Sequence, residues 1–191
     1  DPSYVLEPEQ VFGRRAPLVV EVGSGSGDAL VAAATARPDW DFLAFEVWRP
    51  GIGHTLAKME QATGSALPNV RVVEADAAVA LRTLLRPGSA HEVWTFFPDP
   101  WPKARHHKRR LIQPGNVALL RQRLRSGGVV HCATDWQNYA EQMLHVLSGE
   151  PLLANAHDGF APRPDFRPQT KFETRGLRLG HGVWDLIFTR K

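Results

Sequence analysis

Four carboxylates stand where an apolar strand would not ordinarily tolerate one. Glu21 lies inside the run at residues 18–22, and Glu46 closes the run at 41–46. Asp76 follows the run at 70–74, and Asp99 follows the run at 93–97. A charge beside buried apolar residues needs something to answer it, so such acids read as functional before they read as structural. Between Glu21 and Asp28 the chain runs Gly23-Ser24-Gly25-Ser26-Gly27. Gly23, Gly25 and Gly27 let backbone pass close to a ligand with no Cβ in the way. Asp28 itself suits a helix N-terminus. A nicotinamide dinucleotide, S-adenosylmethionine and plain loop geometry would all use such a turn. Charge separates the first two: a rim of carboxylates repels a pyrophosphate and attracts an ammonium and a sulfonium. Glu46, 19 residues past Gly27, is spaced to accept hydrogen bonds from ribose hydroxyls, and Asp76 to meet an adenine edge.

The elements that must position these acids alternate. Strands are predicted at residues 18–22, 41–46, 70–74, 93–97 and 129–134, with a closing strand at 182–188. Helices are predicted from Asp28 to Arg37, from Pro50 towards Gly64, through Leu81, Leu84 and Leu85, from Asn116 as cap through Leu124, and from Asp135 as cap through Leu147. Gly127-Gly128 reads as a helix terminator, and residues 155–169 as a long exposed loop. Alternation of this kind predicts an α/β, doubly wound, mostly parallel sheet with helices on both faces. The last strands come without an intervening helix and are expected to pair antiparallel at the sheet edge. All four acids then converge at strand carboxyl ends.

One domain over residues 1–191 is expected from the length, with 43% hydrophobic and 23% charged residues. No apolar run approaches the roughly 18 residues of a membrane span. The single cysteine, Cys132, rules out an internal disulfide and suits a cytoplasmic protein. Monomer and homodimer fit the sequence equally.

Charge is divided along the chain. Residues 1–99 carry 13 acids and 8 bases, whereas residues 100–191 carry 7 acids and 15 bases. The basic half opens on Phe97-Pro98-Asp99-Pro100-Trp101-Pro102-Lys103-Ala104-Arg105-His106-His107-Lys108-Arg109-Arg110-Leu111. Three prolines fence one carboxylate, and five cations follow within eight residues. With no acid interleaved, the run predicts contact with polyanion phosphates rather than a solvated face. His106 and His107 fit phosphate contacts better than metal ligation, because no Cys or carboxylate stands at ligand spacing. No metal is expected. Trp101 and Trp136 are candidates for stacking on a base or for edge packing.

This fifteen-residue block resembles the signature of bacterial tRNA (guanine-N7)-methyltransferases. So do Thr134-Asp135-Trp136, the segment Thr170-Lys171-Phe172-Glu173-Thr174-Arg175-Gly176 and the ending Gly180-His181-Gly182-Val183-Trp184-Asp185-Leu186. The resemblance implies a Rossmann-like, seven-stranded methyltransferase sheet, S-adenosylmethionine as donor and methylation of the variable-loop guanine at tRNA position 46. It implies cofactor contacts from Glu21, Gly23, Gly25, Gly27, Glu46, Asp76 and Asp99, with Asp99 also the catalytic residue. Lys103, Asp135, Thr170, Lys171, Phe172 and Glu173 are implied as substrate contacts, and Arg105, His106, His107, Lys108, Arg109 and Arg110 as the RNA-contacting segment. Family members usually carry an amino-terminal extension ahead of the glycine motif, of which a short remnant precedes it here.

The chemistry agrees with the residue types. Guanine N7 carries an in-plane lone pair, so it attacks a sulfonium methyl without first losing a proton. Alignment is then the main task, and a fixed carboxylate is suited to stabilising the positive charge that moves onto the purine. Two other readings use the same residues: a catalytically silent RNA-binding scaffold, and a methyltransferase for another base nitrogen. A dehydrogenase is disfavoured by the acidic rim.

Overall fold

The computed structural model describes residues 5–169, 173, 174, 178, 180 and 182–191. Thr170, Lys171 and Phe172, expected to contact substrate, lie outside the described residues.

Strands β1 (Leu18–Val22), β2 (Asp41–Glu46), β3 (Val70–Glu74), β4 (Ala90–Phe96), β5 (Leu124–Thr134), β6 (Leu153–Asn155) and β7 (Trp184–Arg190) form one seven-stranded sheet in the order β3-β2-β1-β4-β5-β7-β6. Neighbours from β3 through β5 are parallel, and β7 runs antiparallel to both β5 and β6. Helices α1 (Pro8–Phe12), α2 (Asp28–Ala36), α3 (Arg49–Thr63), α4 (Ala77–Thr83), α5 (Pro114–Arg123) and α6 (Gln137–Ser148) complete the described architecture. β1 and β2 are buried throughout, as expected of central strands covered on both sides.

Side-chain alternation divides the core. Leu18, Val20, Val22, Leu43 and Phe45 face a cluster that includes Leu81 of α4, Leu120 of α5 and Met143 of α6. Val19, Phe42, Ala44, Trp94 and Phe96 face the opposite cluster, which holds Leu30 of α2 and Met59 of α3. By the same period of two, Glu21 and Glu46 share the second face with Val19 and Ala44. The sheet therefore delivers both acids to one side, under the turn between β1 and α2. Strand order reverses between β1 and β4, and ligands of open α/β sheets bind at that kind of switch point.

The last strands pair antiparallel at the sheet edge, as expected, with β7 second from it and β6 outermost. β6 itself was not expected, because three residues are too short to show a period in sequence. Three sequence expectations are corrected. Gly127-Gly128 does not end a helix. It lies inside β5, where the register with β4 shifts between Ala90 and Glu92. A Cβ on Gly128 would come within 3.0 Å of the His91 carbonyl oxygen, so that close approach needs glycine. α5 starts at Pro114 rather than after Asn116, whose side chain instead donates to the Leu111 carbonyl at 2.8 Å. Asp135 makes no capping bond to α6; the Thr134 hydroxyl accepts from the Trp136 N–H at 3.2 Å.

The stretch read as an exposed loop also covers the sheet. Phe166 stacks on Trp94 at 5.4 Å, and the neighbouring Arg167 is 1% exposed. Arg167 donates to Asp185 on β7 at 2.8 and 2.7 Å and to Glu173 at 2.7 and 3.2 Å. Asp185 also bonds His131 of β5 at 2.7 Å. Burial would raise the Asp185 carboxyl, but hydrogen bonds from His131 and Arg167 hold it below the ordinary carboxylate range. The cluster pins the segment carrying Glu173 to the sheet. Arg167→Met would leave two buried carboxylates without their cation. It should lower unfolding free energy by about 3–5 kcal/mol in urea titrations. A loss under about 1 kcal/mol would show that the cluster does not hold this layer.

Candidate active site

The turn after β1 is wound tightly against α3. Gly27 precedes α2 with φ +73°, and a Cβ there would fall 2.4 Å from the Thr55 hydroxyl. Gly51 of α3 lies under the same turn: its Cβ would come within 2.3 Å of the Gly25 carbonyl oxygen. The sequence reading passed over Gly51, because a single glycine inside a helix carries no local signal of what approaches it.

Glu46 ties this turn down. Its carboxylate accepts from the Gly25 N–H at 2.6 Å and from the Val47 and Trp48 N–H groups at 2.8 Å each. Asp28 stands in the first turn of α2, where a negative charge suits the helix terminus, and Lys58 reaches it at 2.6 Å. Asp76 caps α4, accepting from the Val79 N–H at 3.0 Å. These three acids thus have structural duties that the sequence reading gave only to Asp28.

Glu21 is different. It is 2% exposed, and its Oε2 has no hydrogen-bond partner among the described residues. Burial first, then the nearby carboxylates of Glu46 and Asp28, push its carboxyl up to about 8. A desolvated acid beside two others is a site short of positive charge.

Glu21 opens into a cavity of about 430 Å³ whose other walls include Gly23, Gly25, Phe97, Asp99, Asp135 and Trp136. Glu46 and Asp76 stand outside that lining. Asp99 is exposed on the loop that follows β4. Both ends of the loop are bent into the left-handed region at residues that are not glycine, Phe97 at φ +52° and Trp101 at φ +44°. Strained backbone of this sort persists only where surroundings impose it, and it collects at functional sites. A second recess of about 620 Å³ adjoins the first and shares Asp135 and Trp136 with it. Glu141, Gly182 and Trp184 lie on its far side. Neither Trp184 nor Glu141 was given a role from sequence: Trp184 is far from Asp135 along the chain, and Glu141 reads as an ordinary exposed position of a helix.

The cationic run forms a 3-10 helix, Ala104–Arg109. Lys103, Arg105, Lys108 and Arg109 are exposed, while His106 and His107 are half-buried. Arg109 lies 5.0 Å over the Trp101 ring, which meets His106 edge-on at 5.9 Å. Two expectations fail here. Arg110 is buried rather than displayed, with its guanidinium bonded to protein groups. Glu173 is also buried, and its two oxygens accept from Arg167 rather than facing the cavity as free acceptors.

Known structures share the frame that carries this site. The chain superposes on the aminoglycoside resistance methyltransferase NpmB1 with a TM-score of 0.63 and 15% identity, covering 98% of this chain and 95% of that one. With the 16S rRNA methyltransferase KamB the TM-score is 0.65 at 18% identity, covering 96% and 92%. Identities this low speak for the fold alone, and the fold is that of the Rossmann-like methyltransferases. A family model described as "Putative methyltransferase" matches residues 15–186. The tRNA (guanine-N(7)-)-methyltransferase of Bordetella pertussis is 57% identical over 185 residues, 97% of this chain and 72% of the relative. That of Paraburkholderia xenovorans is 58% identical over 181 residues, 95% of this chain and 68% of the relative. The chain belongs to the tRNA (guanine-N7)-methyltransferase family.

Glu21 generates a test that needs no ligand. In the folded protein it keeps its proton up to pH about 8, while in the unfolded chain it ionises near 4.5. Stability linked to this group is therefore complete below about pH 4.5 and is lost as pH rises through about 8. Glu21→Gln should gain on wild type across that window, by at most about 1.4 kcal/mol per pH unit in denaturant titrations. A difference that does not change with pH would mean that Glu21 is ionised throughout.

Proposed function

We propose that this protein transfers a methyl group from S-adenosylmethionine to guanine N7 in tRNA, at the variable-loop position 46, in the cytoplasm. The observation that carries the reading is Glu21: a buried acid with an oxygen unpartnered among the described residues, opening into the same cavity as Asp99. When bound, S-adenosylmethionine supplies an electrophilic methyl on a sulfonium, together with an ammonium that suits a desolvated acid. The glycine turn offers close backbone approach, and Glu46 and Asp76 retain acceptor capacity for the donor's ribose and adenine. The glycine turn alone would admit a pyrophosphate, but the acids around it disfavour one.

Asp99, Asp135 and the recess bounded by Trp136 and Trp184 would receive the target base. The N7 lone pair forms the new N–CH3 bond as the S–CH3 bond breaks, leaving a neutral thioether and a positively charged purine. No proton has to leave N7 first, so the reaction needs no strong base and no metal. Asp99 stabilises the charge arriving on the ring or accepts from its N1 and N2 hydrogens, and its stiff loop spares reorganisation. Lys103, Arg105, Lys108 and Arg109 would take phosphates, which positions the RNA without reading its sequence. A silent RNA-binding scaffold would have no use for the Glu21 site.

Three measurements check this reading. Incubation with tRNA lacking 7-methylguanosine, followed by nuclease digestion and mass spectrometry, should place one methyl on N7 of the variable-loop guanine. A methyl on another nitrogen would sink the assignment. Asp99→Ala should lower kcat about 100-fold with tRNA affinity little changed, and near-normal turnover would remove Asp99 from the mechanism. With about four phosphates neutralised, tRNA affinity should fall roughly 100-fold between 50 and 200 mM salt. A flat dependence would exclude the 3-10 helix as the RNA contact.

A further inference from the structure

The loop that carries Asp99 is poorly equipped to hold itself. Pro98, Pro100 and Pro102 have no N–H, so three of its backbone donors are missing while every carbonyl remains. A donor has to come from outside the loop, and Arg110 supplies it. Its Nε donates to the Pro100 carbonyl at 2.8 Å. One terminal nitrogen donates to Asn138 Oδ1 at 2.9 Å and the other to Gln142 Oε1. The guanidinium lies 4.7 Å over the ring of Tyr139, between those two residues on α6. Gln142 is held in turn, donating to the Ile112 carbonyl at 3.2 Å, and the Tyr139 hydroxyl accepts from the Ile112 N–H at 3.1 Å.

Among the described residues, the partners of this buried cation are a carbonyl, two amides and a ring, with no carboxylate bonded to it. Burial accordingly draws its guanidinium below the ordinary range, with Tyr139 opposing. A cation meant to grip phosphates would stand in solvent with its four neighbours in the run. We infer that Arg110 is a positioning residue that fastens the Pro100 carbonyl, and with it the adjacent Asp99, to α6. The planar fork suits that task because it reaches loop and helix at once with fixed angles; a lysine would offer a point charge in its place. Through α6 the same fork sets the Asp99 loop against Asp135 and Trp136, which lead into that helix. The inference rests on Asp99 being the centre of methyl transfer.

Arg110→Lys and Gln142→Ala test it in the full chain. Gln142 lines neither recess, so its variant reads the support and not a substrate contact. The quantities are kcat at saturating tRNA and S-adenosylmethionine, and the slope of log Kd for tRNA against log salt. Arg110→Lys should lower kcat about 10- to 100-fold, as expected for a misplaced reacting group. Gln142→Ala should lower it in the same direction by less. Neither should change the salt slope, whereas Lys108→Ala should flatten it by roughly 0.7–0.9. Should Arg110→Lys fail to fold, Gln142→Ala carries the test alone. A wild-type kcat in the folded variants, with or without lost thermal stability, would overturn the positioning role. So would an Arg110 variant whose salt slope flattens while kcat holds, since that is the behaviour of a phosphate contact. If wild type did not methylate guanine N7 at all, the proposed function would be at fault; if wild type is active and the variants match it, only this inference fails.

Discussion

Everything at the mouth of the sheet is arranged around a carboxyl group that no described residue satisfies. Glu21 is carried there by β1, buried on the face it shares with Val19, and left with one oxygen unpartnered. Its neighbours do not relieve it, since Glu46 and Asp28 add charge of the same sign. What they do is build the walls. Glu46 fastens Gly25 and the start of α3, Lys58 holds Asp28 at the head of α2, and Gly51 lets α3 close beneath the turn. A cradle of this kind is rigid before any ligand arrives, which lowers the cost of binding one.

The other half of the site obeys the opposite rule. Where the glycine turn is held by its own N–H groups, the Asp99 loop has surrendered three of them to proline. It is bent at both ends by positive φ and depends on side chains from later in the chain. Cations follow at once, and their use divides by burial. Four stay in solvent, where a phosphate can meet them, and the fifth turns inward to hold the loop. On the proposed reading, one run of sequence serves both RNA contact and alignment of the carboxylate.

Much of this was legible beforehand for definite reasons. The alternation of apolar runs and helix-prone stretches announces a parallel sheet, and the position of each acid after its strand follows from that topology. What sequence could not show is where a charged side chain turns. Arg110 looks like its four neighbours because composition is blind to a bend at the end of a short 3-10 helix. Glu173 looks like an open acceptor because Arg167, which claims it, lies in a stretch whose prolines and polar residues read as loop. Gly128 reads as a terminator because glycine pairs usually are, and only the close carbonyls of Arg125 and His91 show why glycine is needed inside a strand. β6 escapes notice since three residues cannot display a period. Apart from β6, each miss is a tertiary contact overriding a local signal.

The contrast between the two acidic clusters on this face of the sheet is itself an argument. Around Asp185 the chain brings a buried arginine to two carboxylates, adds His131, and leaves both acids bonded. Around Glu21 three carboxyl groups meet, and Lys58 is spent on Asp28 at the rim. A fold that compensates charge so fully some strands away has the means to do so here. Compensation at Glu21 would fill the space that the glycine turn keeps clear, and it would remove the attraction for a cation. On the proposed reading Glu21, which burial keeps protonated in the free protein, ionises to pair with the cation that arrives with the methyl donor.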